Sequence, residues 1–165
     1  MTWLWALLGL VVLQRLGELI YAHRNTTRLL AQGGRERGAR HYPLIVLLHL
    51  AWLAAMAALV PAETPPLWPW LALFFLLQAG RLWVLASLGP YWTTRIITLA
   101  NAPLVRHGPY RFLKHPNYLV VALEIAVLPL AFGAWQIALV FSLLNALLLA
   151  HRIRIEDSAL AERRD

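Results

Sequence analysis

The chain has 165 residues, 60% of them hydrophobic and 14% charged, with a mean hydropathy of +0.59 and a net charge of +7. A soluble domain of this length is ordinarily about 45–50% apolar and about 25% charged, so the composition excludes an ordinary soluble globule and points to one integral-membrane domain spanning 1–165. The basic residues fill the gaps between apolar runs rather than a detached arm, and no zinc-finger spacing accompanies them, which argues against nucleic acid. The absence of cysteine excludes disulfides, thiolate metal ligation and a cysteine nucleophile.

Residues 2–22 supply the ~20 residues that a spanning helix needs. The run has no basic leader and no small-residue cleavage site, so it reads as a retained helix rather than a secretory signal. Gln14, Arg15 and Glu18 lie in its last third, and Arg15 and Glu18, three apart, share a face. A structural ion pair and a place in the lining of a site are both compatible with them. Residues 23–41 form a polar loop with five arginines against one glutamate, with a short amphipathic segment over 24–32 before the Gly33-Gly34 turn.

Residues 42–60 give a second span, opened by Tyr42-Pro43, with proline at a first-turn position where its missing donor is harmless. His49 lies within it. A buried histidine bonded across helices is the plain reading, and contact with a substrate is the alternative. After the proline-rich turn 61–67, residues 68–88 form a third span carrying Gln78, Arg81 and Trp83 towards its exit. Arg81 either snorkels to the interface or points into a polar pocket.

Residues 89–117 make a long polar connection that must pack over the helix ends, because irregular backbone at membrane depth needs protein cover. A short strand-like or irregular stretch is expected over 94–99. Within 118–150 the one charge is Glu124, and Pro129 and Phe132-Gly133 interrupt the run. Two helices, 117–130 and 134–150, fit better than one. Each is short for a full span, so tilt or a re-entrant hairpin is allowed. Glu124 must face the bundle or carry a proton. Residues 151–165 read as a mostly helical, solvated tail.

The three polar segments 23–41, 89–117 and 151–165 hold 5, 4 and 4 basic residues, whereas the turns 61–67 and 131–133 hold none. Five spans with the N-terminus outside and the C-terminus cytosolic satisfy the positive-inside rule. The fold class is therefore an all-α membrane protein of about five helices, the last two a short hairpin, with a pocket at the cytosolic mouth. Arg152 and Glu156, four apart on one helical face, read most simply as a surface pair. No carboxylate–histidine cluster suggests a metal, and no glycine-rich phosphate cradle is present. From residue types alone, a polar pocket at the mouth of a helix bundle is as far as the chemistry goes.

The segment GPYRFLKHPNY at 108–118, followed by a hydrophobic hairpin and RIRIED at 152–157, resembles the isoprenylcysteine carboxyl methyltransferase family of membrane enzymes. With QRLGEL at 14–19, HYP at 41–43 and the stretch 93–121, the pattern is most similar to a small bacterial branch. Members of that branch often accompany type III polyketide synthases, and some methylate the hydroxyl of alkylpyrones. The resemblance implies S-adenosylmethionine as methyl donor, held by the motif and the C-terminal helix. The family's basic position falls on Lys114, and its histidine, proline and tyrosine on His115, Pro116 and Tyr118. The acidic pair falls on Glu156 and Asp157, and the preceding arginine on Arg152. Tyr110 and Arg111 join this cofactor-binding group. The chain departs from the family pattern at Lys114 for arginine, Val120 for glycine and Asp157 for the second glutamate.

The resemblance further implies a lipophilic acceptor entering from the bilayer, with an alkylpyrone or phenolic lipid first, a prenylated cysteine carboxylate second and a phospholipid third. Arg81, Arg95 or Arg15 would hold an acceptor anion, and His107 or Glu124 would serve as base where the acceptor oxygen needs one. A non-enzymatic transporter or assembly protein is the competing class, though no inverted repeat is visible.

Overall fold

The computed structural model describes residues 2–100 and 102–161. Five helices carry the chain: α1 (Trp3–Ala31), α2 (Tyr42–Leu59), α3 (Trp68–Leu88), α4 (Pro116–Leu130) and α5 (Trp135–Ala161). Two short strands, β1 (Arg35–Arg37) and β2 (Ile96–Thr98), pair antiparallel with Glu36 opposite Ile97. The first, second, third and fifth helices are long and apolar enough to cross a membrane, and α4 is a shorter apolar helix. The chain is thus an all-α multi-pass membrane protein.

The helices form because the apolar runs meet few breakers, and each stops where turn chemistry appears. Pro43, Pro69 and Pro116 open α2, α3 and α4 in the first turn. Helix α4 packs between α3 and α5, and α2 packs on α5. The core between them is built from Leu4, Trp52, Met56, Phe74, Ile125 and Leu128, all almost fully buried. Leu13, Leu47, Leu59, Leu76 and Leu147 point outwards, the apolar surface that a lipid-facing helix presents. At the end remote from the basic segments, Trp3 and Trp68 meet edge-on at 5.5 Å. There the Leu67 amide donates to the Ala131 carbonyl at 2.7 Å. The turns at 61–67 and 131–134 are thereby tied on one side, and the basic segments gather on the other.

Two boundaries differ from the sequence expectation. Helix α1 runs to Ala31, not to residue 22. Asn25 is buried, and its amide donates to the Gly89 and Trp92 carbonyls at 3.2 and 2.8 Å, so a tertiary contact holds the polar extension helical. Helix α5 is one unbroken helix and not a short hairpin arm followed by a solvated tail. No glycine or proline interrupts Trp135–Ala161, and Arg152 is buried. The last four residues of the expected tail, 162–165, lie outside the described residues. The expected irregular stretch at 94–99 contains β2.

Inside the bundle, four charges cancel. Arg81 is engaged through Nε with Glu18 Oε1 at 2.5 Å and through Nη2 with Glu18 Oε2, and its Nη1 reaches Glu124 at 3.2 Å. Arg15 donates to Glu18 at 3.0 Å and to Glu124 at 2.6 Å. Gln14 and Gln78 add donors to Glu18 and Glu124 at 3.1 and 2.9 Å. Helices α1, α3 and α4 are therefore joined by two arginines and two glutamates whose net charge is zero. A buried pair broken on one side leaves an uncompensated charge, at a cost of about 3–5 kcal/mol. Arg81→Met is expected to lower the unfolding midpoint of the detergent-solubilised protein, and the charge-balanced double variant Arg81→Met/Glu18→Gln to recover much of that loss. Circular dichroism melts of the three proteins check this.

Candidate functional site

The connection from α3 to α4 covers the basic end of the bundle, and local contacts fix its course. The Arg28 guanidinium donates to the Pro90 carbonyl, and Asn25 holds the next turn, as described above. Arg95 Nη1 donates to both oxygens of Glu36 at 3.0 Å, and the guanidinium lies over the Tyr42 ring at 4.8 Å, clamping β2 to β1 and to the start of α2. Further along, Gly108 has a φ of +59°, and a Cβ there would meet Ser87 Oγ at 2.1 Å. Only glycine lets the one-turn helix Gly108–Arg111 press against α3 in this way. The chain then enters α4 at Pro116, which is buried in the first turn.

Tyr118 is the joint of the site. Its hydroxyl donates to Glu156 and accepts from Arg152 Nε at 2.8 Å. Arg152 Nη2 continues to the Thr94 carbonyl at 2.7 Å. The phenol therefore lies between Arg152 and Glu156, which the spacing alone would have paired directly. His115 stacks on the Tyr118 ring at 5.4 Å and shares a hydrogen bond with Asp157 at 2.9 Å, and Lys114 pairs with Asp157 at 2.6 Å. One set of contacts thus links the loop before α4, the first turn of α4, the end of α5 and the segment before β2. Burial, and secondarily the Glu156 carboxylate, pushes the Tyr110 phenol up above its ordinary value; like any phenol it is protonated and able to donate at neutral pH.

Two cavities meet at this joint. The larger, about 680 Å³, is lined by Arg95, Arg106, Tyr110, Arg111, Lys114, His115 and Glu156 among others. The smaller, about 190 Å³, lies deeper and is lined by His49, Arg15, Glu18, Arg81, Val121 and Asn145 among others. Trp92, Thr93, Asn117, Tyr118 and Arg152 line both. At this shared wall Trp92 Nε1 and Asn117 Oδ1 are buried with no hydrogen-bond partner among the described residues. Buried polar atoms are almost always satisfied, so each of these two atoms is a place where a ligand's polar group would complete the wall.

The sequence profile of the isoprenylcysteine carboxyl methyltransferase (ICMT) family matches residues 70–162. The chain belongs to this family. That membership puts it among membrane methyltransferases, as the resemblance implied. A Bacillus subtilis protein, the uncharacterized YpbQ, is 40% identical over 163 residues, covering 96% of both chains. An uncharacterized protein of Haemophilus influenzae is 29% identical over 154 residues, covering 89% of this chain and 88% of its own. No solved structure matches the chain significantly.

Of the residues that the ICMT resemblance assigned to the cofactor, Tyr110, Arg111, Lys114, His115, Tyr118, Arg152 and Glu156 line the larger cavity. Asp157 stands behind His115 and Lys114, and Pro116 sets the entry to α4. Of the acceptor-side candidates, Arg95 lines the larger cavity and Arg81 the smaller. Glu124 lines neither: it is held by Arg15, Arg81 and Gln78. His107 is exposed and also lines neither. The two sequence candidates for a base are therefore not brought to the cavities. Trp92, which the sequence suggests only as an interfacial residue, and the Thr94 carbonyl form part of the joint. A tryptophan in an irregular loop has no periodicity to reveal it, and a backbone carbonyl has no sequence signal at all.

Gly108→Ala should loosen the cover over the larger cavity without unfolding the helices. Limited trypsin digestion should cut faster at Arg106, Arg111 and Lys114 in this variant than in the wild type, with the helical circular dichroism unchanged.

Proposed function

We propose that this chain transfers a methyl group from S-adenosylmethionine to an oxygen of a lipophilic acceptor, and that the acceptor is an alkylpyrone or phenolic lipid hydroxyl. The observation that carries this reading is the wall common to the two cavities. A charged, loop-covered cavity and a deeper one between helices share Tyr118, Arg152 and Asn117, as a reaction between a water-soluble donor and an amphiphile requires.

The residues of the larger cavity suit the donor. Its volume falls in the range of about 300–1,000 Å³ typical of small-molecule sites. S-adenosylmethionine, when bound, supplies an electrophilic methyl on a sulfonium. Glu156 offers the carboxylate that a cationic group favours. Arg111, Lys114 and Arg152 offer charge-assisted bonds to a carboxylate. Tyr110, a protonated phenol, and His115 give polar edges that orient the remainder. Trp92 and Asn117 supply an unused donor and an unused acceptor at the wall. In-line methyl transfer asks the protein chiefly to align the two partners and to exclude water. Glu124 and His107 line neither cavity, so neither stands ready as the base, and an enol or phenol, among the most acidic of hydroxyls, suits the acceptor oxygen. Arg152 at the junction is the cation such an oxygen would meet.

The same reading assigns the basic end to the cytosol, with the N-terminus outside the inner membrane. It also links the chain functionally to a type III polyketide synthase that makes the acceptor. Because the protein has no cysteine, single cysteines report its sides cleanly. Glu63→Cys should react with an impermeant maleimide in intact cells, and Ser158→Cys only after permeabilisation.

Removing one partner of a charge-assisted contact costs about 2–5 kcal/mol, or roughly 30-fold in affinity at the lower end. Labelled S-adenosylmethionine should bind the detergent-purified protein, with Glu156→Ala and Arg152→Ala weakening it by about that factor or more. Lipid extracts incubated with protein and donor should yield, by mass spectrometry, a species heavier by one methylene. Undiminished donor binding by both variants overturns the assigned roles.

A further inference from the structure

His49 sits in the membrane interior on α2 and faces the smaller cavity. Its ring is bonded through Nδ1 to the Ile45 carbonyl at 2.8 Å. A carbonyl can only accept, so Nδ1 carries the proton, and the neutral ring leaves a bare lone pair on Nε2. Of the side-chain acceptors around the inner part of this cavity, the Glu18 carboxylate is already engaged, which leaves His49 and the Asn145 amide. Glu18 receives Arg81, Arg15 and Gln14, and the neighbouring Glu124 receives Arg15, Arg81 and Gln78.

The depth of His49 places that lone pair away from the joint. Tyr42, one residue before Pro43, touches the joint layer: its hydroxyl meets Thr94 Oγ1 at 3.2 Å, and the Thr94 carbonyl receives Arg152. His49 lies seven residues further along α2, or about 10 Å at 1.5 Å per residue. The cavity between them is about 190 Å³, and an apolar cavity of about 150 Å³ accepts a benzene ring. A ring filling this space would put one oxygen at Tyr118 and Arg152 and another substituent towards His49. His49 is half-buried and lines the cavity, and no bond to its Nε2 is seen among the described residues; a ligand that displaces water there must supply a donor or leave the lone pair without a partner. A hydroxyl satisfies it, whereas an ether or a carboxylate brings no proton to share.

We propose that His49 is a specificity residue: its Nε2 accepts a hydrogen bond from a second, non-reacting hydroxyl of the methyl acceptor. The smaller cavity then takes a dihydroxy aromatic amphiphile in preference to a carboxylate or a ring with a single oxygen. This rests on the reading of that cavity as the acceptor site.

The test uses the full chain in lipid nanodiscs with nitrogen-labelled histidine. The His49 Nε2 resonance is identified by its loss in His49→Gln. Dodecylresorcinol is expected to shift it, while the dimethyl ether of dodecylresorcinol and dodecanoate leave it in place. In turnover with labelled S-adenosylmethionine, His49→Leu is expected to raise KM for dodecylresorcinol about tenfold, as loss of a hydrogen bond of about 1.4 kcal/mol would. His49→Gln, which keeps an acceptor at that reach, should restore most of it, with donor affinity unchanged in both variants. A resonance unmoved by dodecylresorcinol, or moved equally by its dimethyl ether, overturns the proposal, and so does an unchanged KM in His49→Leu. Failure of wild-type protein to bind labelled S-adenosylmethionine would instead refute the methyl-transfer reading, while the nitrogen resonance would still decide the role of His49.

Discussion

Two arginines and two glutamates, gathered inside the helix bundle, hold three helices of this protein in one arrangement. A lone charge in that position would be expensive. The four are tolerable because each carboxylate is reached by both guanidinium groups and a glutamine amide as well. Apolar helices in lipid have no solvent-driven preference for one rotation over another. Complementary charges do impose one, since α1, α3 and α4 satisfy the cluster in a single mutual register. On its other side α4 packs against α5, with Tyr118 held by Arg152 and Glu156.

The joint built on Tyr118 shows how one side chain divides labour between two spaces. Its hydroxyl is committed to a carboxylate and a guanidinium, so the ring is fixed in place. Its position lets it line both cavities at once. His115, stacked on it and braced by Asp157, extends the fixed surface into the larger cavity. The ICMT motif is thus a set of contacts spanning two helices and a loop, which explains why a histidine, a proline and a tyrosine near a helix start must be answered by acidic residues far along the chain.

Much of this was legible in the sequence, and the reasons differ by feature. Apolar runs of about twenty residues bounded by proline and glycine located α2, α3 and the start of α4 closely, because membrane helices announce themselves by length and composition. Residues 24–31 were legible as an amphipathic segment before the Gly33-Gly34 turn, but not as a continuation of α1. They remain helical because Asn25 caps the backbone of a distant loop, a contact no local pattern encodes. The join of α5 to the supposed tail was missed because charge was taken as a boundary, although nothing in Trp135–Ala161 stops a helix. The motif residues could be named from resemblance, but Glu124 could not be placed. Its sequence position says only that it must be compensated, and the compensation by Arg15, Arg81 and Gln78 takes it out of either cavity.

The shortness of α4 has a geometric result. Its far end is level with the start of α3, since the Leu67 amide, one residue before α3, donates to Ala131, one residue after α4. With 21 residues in α3 and 15 in α4, at ~1.5 Å per residue the two differ in length by about 9 Å. The histidine–proline step therefore begins in a recess, some two helical turns below the plane where α3 ends. A hydrophilic molecule seated there would lie below the end of α3, and a greasy one held between the helices would need to rise little to meet it.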